Sequence, residues 1–191
     1  YYGSYENSWQ NGDTVSYTWG WENLWLHGHY TFDFLYPDAA FGRLPGYPLF
    51  YGLHYLLAGP AHAVWATQLS QVLLDTLAVW LIFRITFRIA QGRGWAPYVG
   101  AALYAVYPFV LIWLTMIATE ALATFITVLW AWVVVERVGG RWHVLVVGLV
   151  IGAAFYIREY LGIFLPITGL WWWLTTARAT GQVWSWPALK P

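Results

Sequence analysis

Hydrophobic positions along this chain come in long blocks broken by short polar or turn-forming strings. A bilayer-crossing helix needs about 20 mostly apolar residues. Five blocks approach that length: His62 to Phe83, Trp95 to about Ala118, about Glu120 to Val135, Trp142 to Ile157, and Leu161 to Thr176. The last three are short and are expected to draw on flanking residues. Gly139-Gly140 between the third and fourth predicts a tight turn. The first 44 residues do not fit this pattern. They are polar, aromatic and acidic, with Glu6, Asp13, Glu22, Asp33 and Asp38, and Asn7, Asn11 and Gly12 around them. Within them, Val15 to His27 reads as a short amphipathic helix with Trp19, Trp21, Leu24 and Trp25, of the kind that lies in a membrane interface. Residues 45–59 are apolar but short and led by proline, so they predict a re-entrant or interfacial helix. The expectation is an all-α integral membrane protein with about five transmembrane helices and an external helical segment. Its divisions are an extracytoplasmic loop over 1–61, a helix bundle over 62–176, and a cytoplasmic tail or loop over 177–191.

Composition sharpens that picture. Of 191 residues, 60% are hydrophobic and 9% charged, with 16 Trp, 14 Tyr and 10 Phe. Soluble domains carry about 25% charged residues. The aromatic load suits belts at the water interface. Nine basic residues balance nine acidic ones, so no net field favours nucleic acid. The absence of cysteine removes disulfides, thiolate metal sites and Cys nucleophiles.

Orientation follows from the basic residues. Arg84, Arg88, Arg93, Arg137, Arg141, Arg178 and Lys190 fall on one side of the five blocks, which is then cytoplasmic; Arg43 and Arg158 fall on the other. This places residues 1–61 outside and the C-terminus inside. Trp171 to Trp173 read as an inner aromatic belt. The sequence opens on Tyr1 rather than Met, with no signal-peptide pattern, and an external start implies a helix upstream. The expectation is therefore a piece of a longer chain, which the parent open reading frame decides.

Several polar residues could carry chemistry. Asp13 precedes the first helix and could serve only as its N-cap; Tyr17, four residues on, shares its face. Arg43-Leu44-Pro45-Gly46-Tyr47-Pro48-Leu49-Phe50 sets two prolines around Gly-Tyr, a rigid entry to an apolar helix. Arg43 could hold a phosphate by a forked contact or anchor a lipid headgroup. Gln68, Gln71 and Asp75 recur at three and four residues and form a polar stripe. A carboxylate at mid-bilayer costs about 2.5–3.5 kcal/mol, so Asp75 should face the bundle interior. There it could line a substrate or proton path, or hydrogen-bond between helices. Glu120 reads equally as a site or a structural residue, and Arg158 could simply pair with Glu159. Of the five histidines, His27, His29, His54, His62 and His143, none forms a zinc-hydrolase motif.

The order Gly-Asp-x-x-x-Tyr, Arg-x-Pro-Gly-Tyr-Pro-Leu-Phe, Tyr107-Pro108, Thr119-Glu120-Ala121-Leu122 and Arg158 resembles the first external loop and following helices of polytopic membrane glycosyltransferases of the GT-C fold. The nearest branch is the bacterial relatives of protein O-mannosyltransferases and of the aminoarabinose transferase that modifies lipid A. The resemblance implies transfer of a sugar from a polyprenyl-phosphate carrier at the extracytoplasmic face of a bacterial inner membrane. It implies a loop carboxylate acting at the acceptor, as base or metal partner, and Asp13 matches it. The related mannosyltransferases carry Asp-Glu where this chain has Asp13-Thr14, so Glu120 is the candidate second carboxylate. Arg43 and Arg158 would face the carrier phosphate, with Tyr17 and Tyr47 at the substrate. A hard divalent cation on Asp13 and Glu120 is an option that carboxylates leave open. Independently of any family, a carboxylate can activate an acceptor hydroxyl and an arginine can stabilise a departing phosphate. Two other readings stand beside this one: a non-catalytic membrane scaffold subunit of a larger complex, and a small transporter built on Asp75, against which the absence of inverted repeats counts.

Overall fold

A computed structural model describes residues 13–31 and 43–180, with side chains as far as Thr175. Glu6, Asp33, Asp38 and Lys190, and the side chain of Arg178, lie outside what is described. Among the described residues the structure is all helical. The helices are α1 (Thr14–His27), α2 (Gly46–Ala58), α3 (Ala63–Ile89), α4 (Ala96–Ala105), α5 (Pro108–Leu114), α6 (Thr119–Glu136), α7 (His143–Ile157) and α8 (Phe164–Thr180), with 3₁₀ turns at Gly140–Trp142 and Glu159–Ile163.

Apolar side chains cover much of the exterior, including Leu73 and Leu77 on α3, Leu103 on α4, Leu149 on α7 and Leu165 on α8. Such a surface belongs in lipid rather than water. Among the described residues two stretches are long and apolar enough to cross a bilayer, Thr119–Glu136 and Gly140–Ile157. The pair α4–α5 makes a third if its two bent halves count as one span. This is a helical membrane protein with two or three candidate spans among the described residues, fewer than the five expected. Each departure has a local cause. The block from Trp95 to Ala118 is bent by 48° between α4 and α5. Pro108 opens α5, and Tyr107 before it is extended, as a residue preceding proline prefers. The block from Leu161 starts as a 3₁₀ turn, so α8 begins only at Phe164 and holds 17 residues. The longest helix, α3, carries Gln68, Gln71, Asp75, Arg84 and Arg88 along its length.

Two cores hold the elements together. The larger joins α6 to α7 and the start of α8 through Ala123, Ile126, Val133, Val147, Ile151, Ala154 and Phe164. Trp130 stacks on Phe164 with centroids 4.3 Å apart and donates to the Thr168 hydroxyl at 2.9 Å. The smaller core is aromatic: Tyr17 and Trp21 of α1, Tyr47 and Tyr51 of α2, with Ala63 and Ile117. Gly52 makes this contact possible, since a Cβ there would stand 2.1 Å from the Trp21 ring. The first helix matches the predicted boundaries to within one residue, but its inner face is mixed. Thr14, Thr18 and Asn23 are buried beside Tyr17 and Trp21, while Val15, Trp25 and Leu26 face out.

Candidate functional site

The Arg-x-Pro-Gly-Tyr-Pro string folds as its sequence demands. Pro45 begins the helix and its carbonyl accepts from the Leu49 N–H at 2.9 Å. Gly46 presses against the end of α7: a Cβ would lie 2.4 Å from the Tyr156 carbonyl oxygen. Only glycine lets the start of α2 sit there. Tyr47 is fully buried. Its ring meets Tyr17 edge-on at 5.1 Å, and its hydroxyl donates to Gln71 Oε1 at 2.7 Å. Burial holds the Tyr47 phenol far above its usual range, so the hydroxyl stays a donor.

Gln71 then hands the network on. Its Nε2 donates to the carbonyls of Leu114 and Met116, each at 2.9 Å. Gln68 donates to the Thr115 carbonyl at 2.5 Å, and the buried Thr14 hydroxyl to the Ile117 carbonyl at 3.1 Å. Four consecutive carbonyls, from the last residue of α5 onward, are thus bound by side chains from α1 and α3. These are groups that a helix end leaves without backbone partners, and binding them fixes where Thr119 and Glu120 begin α6. Thr14 is therefore part of this scaffold. Gln68 and Gln71 hydrogen-bond between helices, and Asp75 accepts from the Tyr104 hydroxyl at 2.6 Å. The stripe acts as interhelical glue.

Two carboxylate–arginine pairs lie at this end of the bundle. Asp13 occupies the N-cap position of α1, yet its side chain makes no capping bond. The carboxylate instead meets Arg43 Nη2 at 2.5 Å, 30 residues along the chain. The Arg43 guanidinium lies 5.4 Å from the centre of the Tyr17 ring. In the second pair, Arg158 hydrogen-bonds Glu120 through Nη2. Arg158 Nε donates to the Thr119 hydroxyl at 2.5 Å, and Nη1 reaches the Tyr160 hydroxyl at 3.4 Å. So Arg158 pairs across 38 residues rather than with its neighbour Glu159. Burial works against its charge, but the Glu120 carboxylate and Tyr160 outweigh burial, and its pKa is raised. Glu120 also lies close enough to bear on the Tyr47 phenol. Asp13, Tyr17, Arg43, Tyr47, Glu120 and Arg158 are therefore brought to one end of the bundle, with Tyr47 between the two pairs.

Beside Glu120 opens an apolar cavity of about 520 Å³. Its walls include Tyr107, Trp113, Thr127, Tyr160 and Phe164, and Glu120 is the charged group on them. Asp13 and Glu120 each already hold a guanidinium, and among the described residues no three acidic, histidine or cysteine side chains converge.

Two further polar contacts were not read from the sequence. Tyr51 reaches the Glu22 carboxylate at 3.4 Å; burial raises the Glu22 pKa, partly offset by that hydroxyl. His54 bridges the Phe50 carbonyl (2.7 Å) and the Ser70 hydroxyl (2.6 Å) through its two ring nitrogens. The available signal was Glu22 in the middle of an interfacial helix, where an acid needs a reason. Compared with protein-family models, with curated proteins and with solved structures, the chain matches none.

Proposed function

We propose that this chain carries the site of a membrane glycosyltransferase that moves a sugar from a polyprenyl-phosphate carrier to an acceptor on the extracytoplasmic face. The observation behind this reading is that Asp13 forgoes capping its helix and holds Arg43 at the mouth of the Gly46-Tyr47 entry. The Glu120–Arg158 pair lies close by, beside an apolar cavity. In this reading α3, the bent α4–α5 pair, α6, α7 and α8 cross the bacterial inner membrane in five passes. The paired end faces outward and the C-terminus lies in the cytoplasm. The isoprenoid tail of the carrier lies in lipid and along the cavity beside Glu120.

The resting pairs give the chemistry an order. A guanidinium that occupies a carboxylate oxygen keeps other proton donors off it. A carrier phosphate entering beside Arg43 competes for the guanidinium by a forked contact and releases the Asp13 carboxylate. Asp13 then accepts the acceptor hydroxyl proton as that oxygen bonds to the anomeric carbon. The bond from the anomeric carbon to the phosphate oxygen breaks, and the polyprenyl phosphate leaves with its charge stabilised by arginine. Tyr17 and Tyr47 shape the floor of the site, and Glu120 sets the position of Arg158. No step requires a metal.

The test is transfer from polyprenyl-phosphate sugars in membranes that carry the longest natural form of the chain. Asp13→Asn should lower transfer about 10²- to 10⁴-fold, the usual contribution of a general base, with expression and thermal unfolding unchanged. Equal activity in both removes Asp13 from catalysis. The apolar flanks of α3, α4 and α8 also fit a scaffold subunit that docks onto other membrane proteins. Silence with every donor, together with fixed-stoichiometry co-purification of unrelated subunits, would favour that reading.

A further inference from the structure

At the opposite end of α6 and α7 a larger cavity, about 800 Å³, opens between α6, α7 and α8. That volume lies within the range of about 300–1,000 Å³ found for ligand sites. Its walls are apolar, with Val147, Ile151 and Leu165 among them. Gly148 and Gly169 also line it, and a Cβ built on either meets nothing within 4 Å. The groove is therefore open along its wall rather than sealed by a neighbouring helix. Its rim carries Arg137 and Arg141, both exposed. The nearest acid in sequence, Glu136, is taken: Arg84 holds it through two bonds, Nε to Oε1 at 3.0 Å and Nη2 to Oε2 at 2.8 Å. Among the described residues no carboxylate pairs with Arg137 or Arg141. His143 on the same rim spends Nδ1 on the Val138 carbonyl at 2.9 Å. Trp171 and Trp172 line the groove as well, side chains of the sort that settle at headgroup level.

We propose that this groove holds a phospholipid of the surrounding bilayer with an anionic headgroup, one acyl chain lying along Val147, Ile151 and Leu165 and the phosphate held by Arg137 and Arg141. The argument is charge complementarity joined to an apolar trough. A trough in a membrane protein fills with chains or with another helix, and two guanidiniums without an acid select a phosphate. Basic pockets between helices bind acidic lipid headgroups on the same grounds. Arg137 adds a second reason to look for a ligand at its side chain. It ends α6 in the left-handed conformation, φ 51°, where glycine would be the cheaper residue.

The test is native mass spectrometry of the full chain, purified in mild detergent with equal amounts of phosphatidylglycerol and phosphatidylcholine of matched chains. Retained lipid should favour phosphatidylglycerol by about thirtyfold, given roughly 1 kcal/mol for each of the two arginines near an acidic headgroup. Soluble glycerol phosphate in excess should not displace it, because the apolar trough contributes to holding it. Arg137→Gly with Arg141→Gln should abolish the preference; the first change relaxes the backbone, so folding is preserved. Gly148→Leu points a side chain into open groove and should lower retention of both lipids with helicity unchanged. Equal retention of the two lipids, or a preference that survives the double variant, overturns the proposal. So does displacement by glycerol phosphate, or a dimer that dissociates in Gly148→Leu, which would give the groove to a second copy. The readout is bound lipid, so its failure is separable from failure of the transferase reading.

Discussion

The two ends of the helix bundle solve the problem of polar groups near a membrane in opposite ways. At the Asp13 end, two acids each meet an arginine from a distant part of the chain: Asp13 with Arg43, and Glu120 with Arg158. Four consecutive carbonyls are bound by Gln68, Gln71 and Thr14. Elements there touch backbone to backbone, as at Gly46. At the Arg137 end Glu136 is consumed by Arg84, and Arg137 and Arg141 face an open groove. One end is knitted by tertiary contacts that fix particular side chains in space. The other leaves two arginines without an acid among the described residues, with Arg141 over the Trp142 ring. Precise placement is what chemistry needs; unpaired charge is what a charged partner needs.

The comparison breaks most readily at Gln71. This residue is 1% exposed and joins Tyr47 to the linker before α6. Gln71→Leu keeps the volume but strands buried polar groups, at about 1–3 kcal/mol each. The midpoint of thermal unfolding in detergent should fall by about 5–15 °C. The same measurement on Arg84→Gln at the other end should show a smaller loss, since that arginine is half-exposed and solvent screens its pair. Equal losses would mean that the Asp13 end is no better knitted than the Arg137 end.

What could be read from the sequence divides along the same line. Helix positions were legible because hydropathy is local: the reading of Glu120 to Val135 became Thr119–Glu136, and Trp142 to Ile157 became His143–Ile157. The break at Tyr107-Pro108 was also local and could have been read, since proline restricts the residue before it. The six site candidates were legible as residue types at helix ends, but not their partners. Nothing along the chain tells Arg158 to prefer Glu120, 38 residues away, over its neighbour. That choice is made by the way α7 packs on α6. Likewise the capping role open to Asp13 is a local rule, and it gives way to Arg43 because the α2 entry brings a guanidinium within reach. Glu22 went unread because its partner, Tyr51, arrives only when α1 lies on α2.

Glycine substitutions sharpen the contrast at a smaller scale. Gly46→Ala drives a methyl group against the Tyr156 carbonyl. The start of α2 must move, costing about 1–3 kcal/mol and drawing Arg43 away from Asp13. Gly148→Ala meets open space and sits inside a helix, where alanine is worth about 0.5–1 kcal/mol over glycine. The first variant should lower the unfolding midpoint and the second should hold or raise it. If both lower it alike, the groove beside Gly148 is filled by protein.

The smallest effect tests Glu22, a half-buried acid at the knitted end that lacks a described cation. Glu22 has only the Tyr51 hydroxyl at 3.4 Å, and burial raises its pKa, with that hydroxyl working the other way. A raised pKa means that the folded state holds the proton more tightly than the unfolded state. The stability this gives is fully present below the unfolded value of about 4.3. It is lost as pH rises through the folded pKa, so at neutral pH the charged carboxylate weighs against the fold. Glu22→Gln removes the charge and keeps an oxygen for Tyr51 to donate to. The variant should unfold a few degrees higher than the parent at pH 7, an effect kept small by the solvent that still reaches this half-buried side chain. The advantage should shrink toward zero as pH approaches 4. An advantage that stays constant across that range would assign the gain to packing, and Glu22 would then be as well accommodated as the acids that hold arginines.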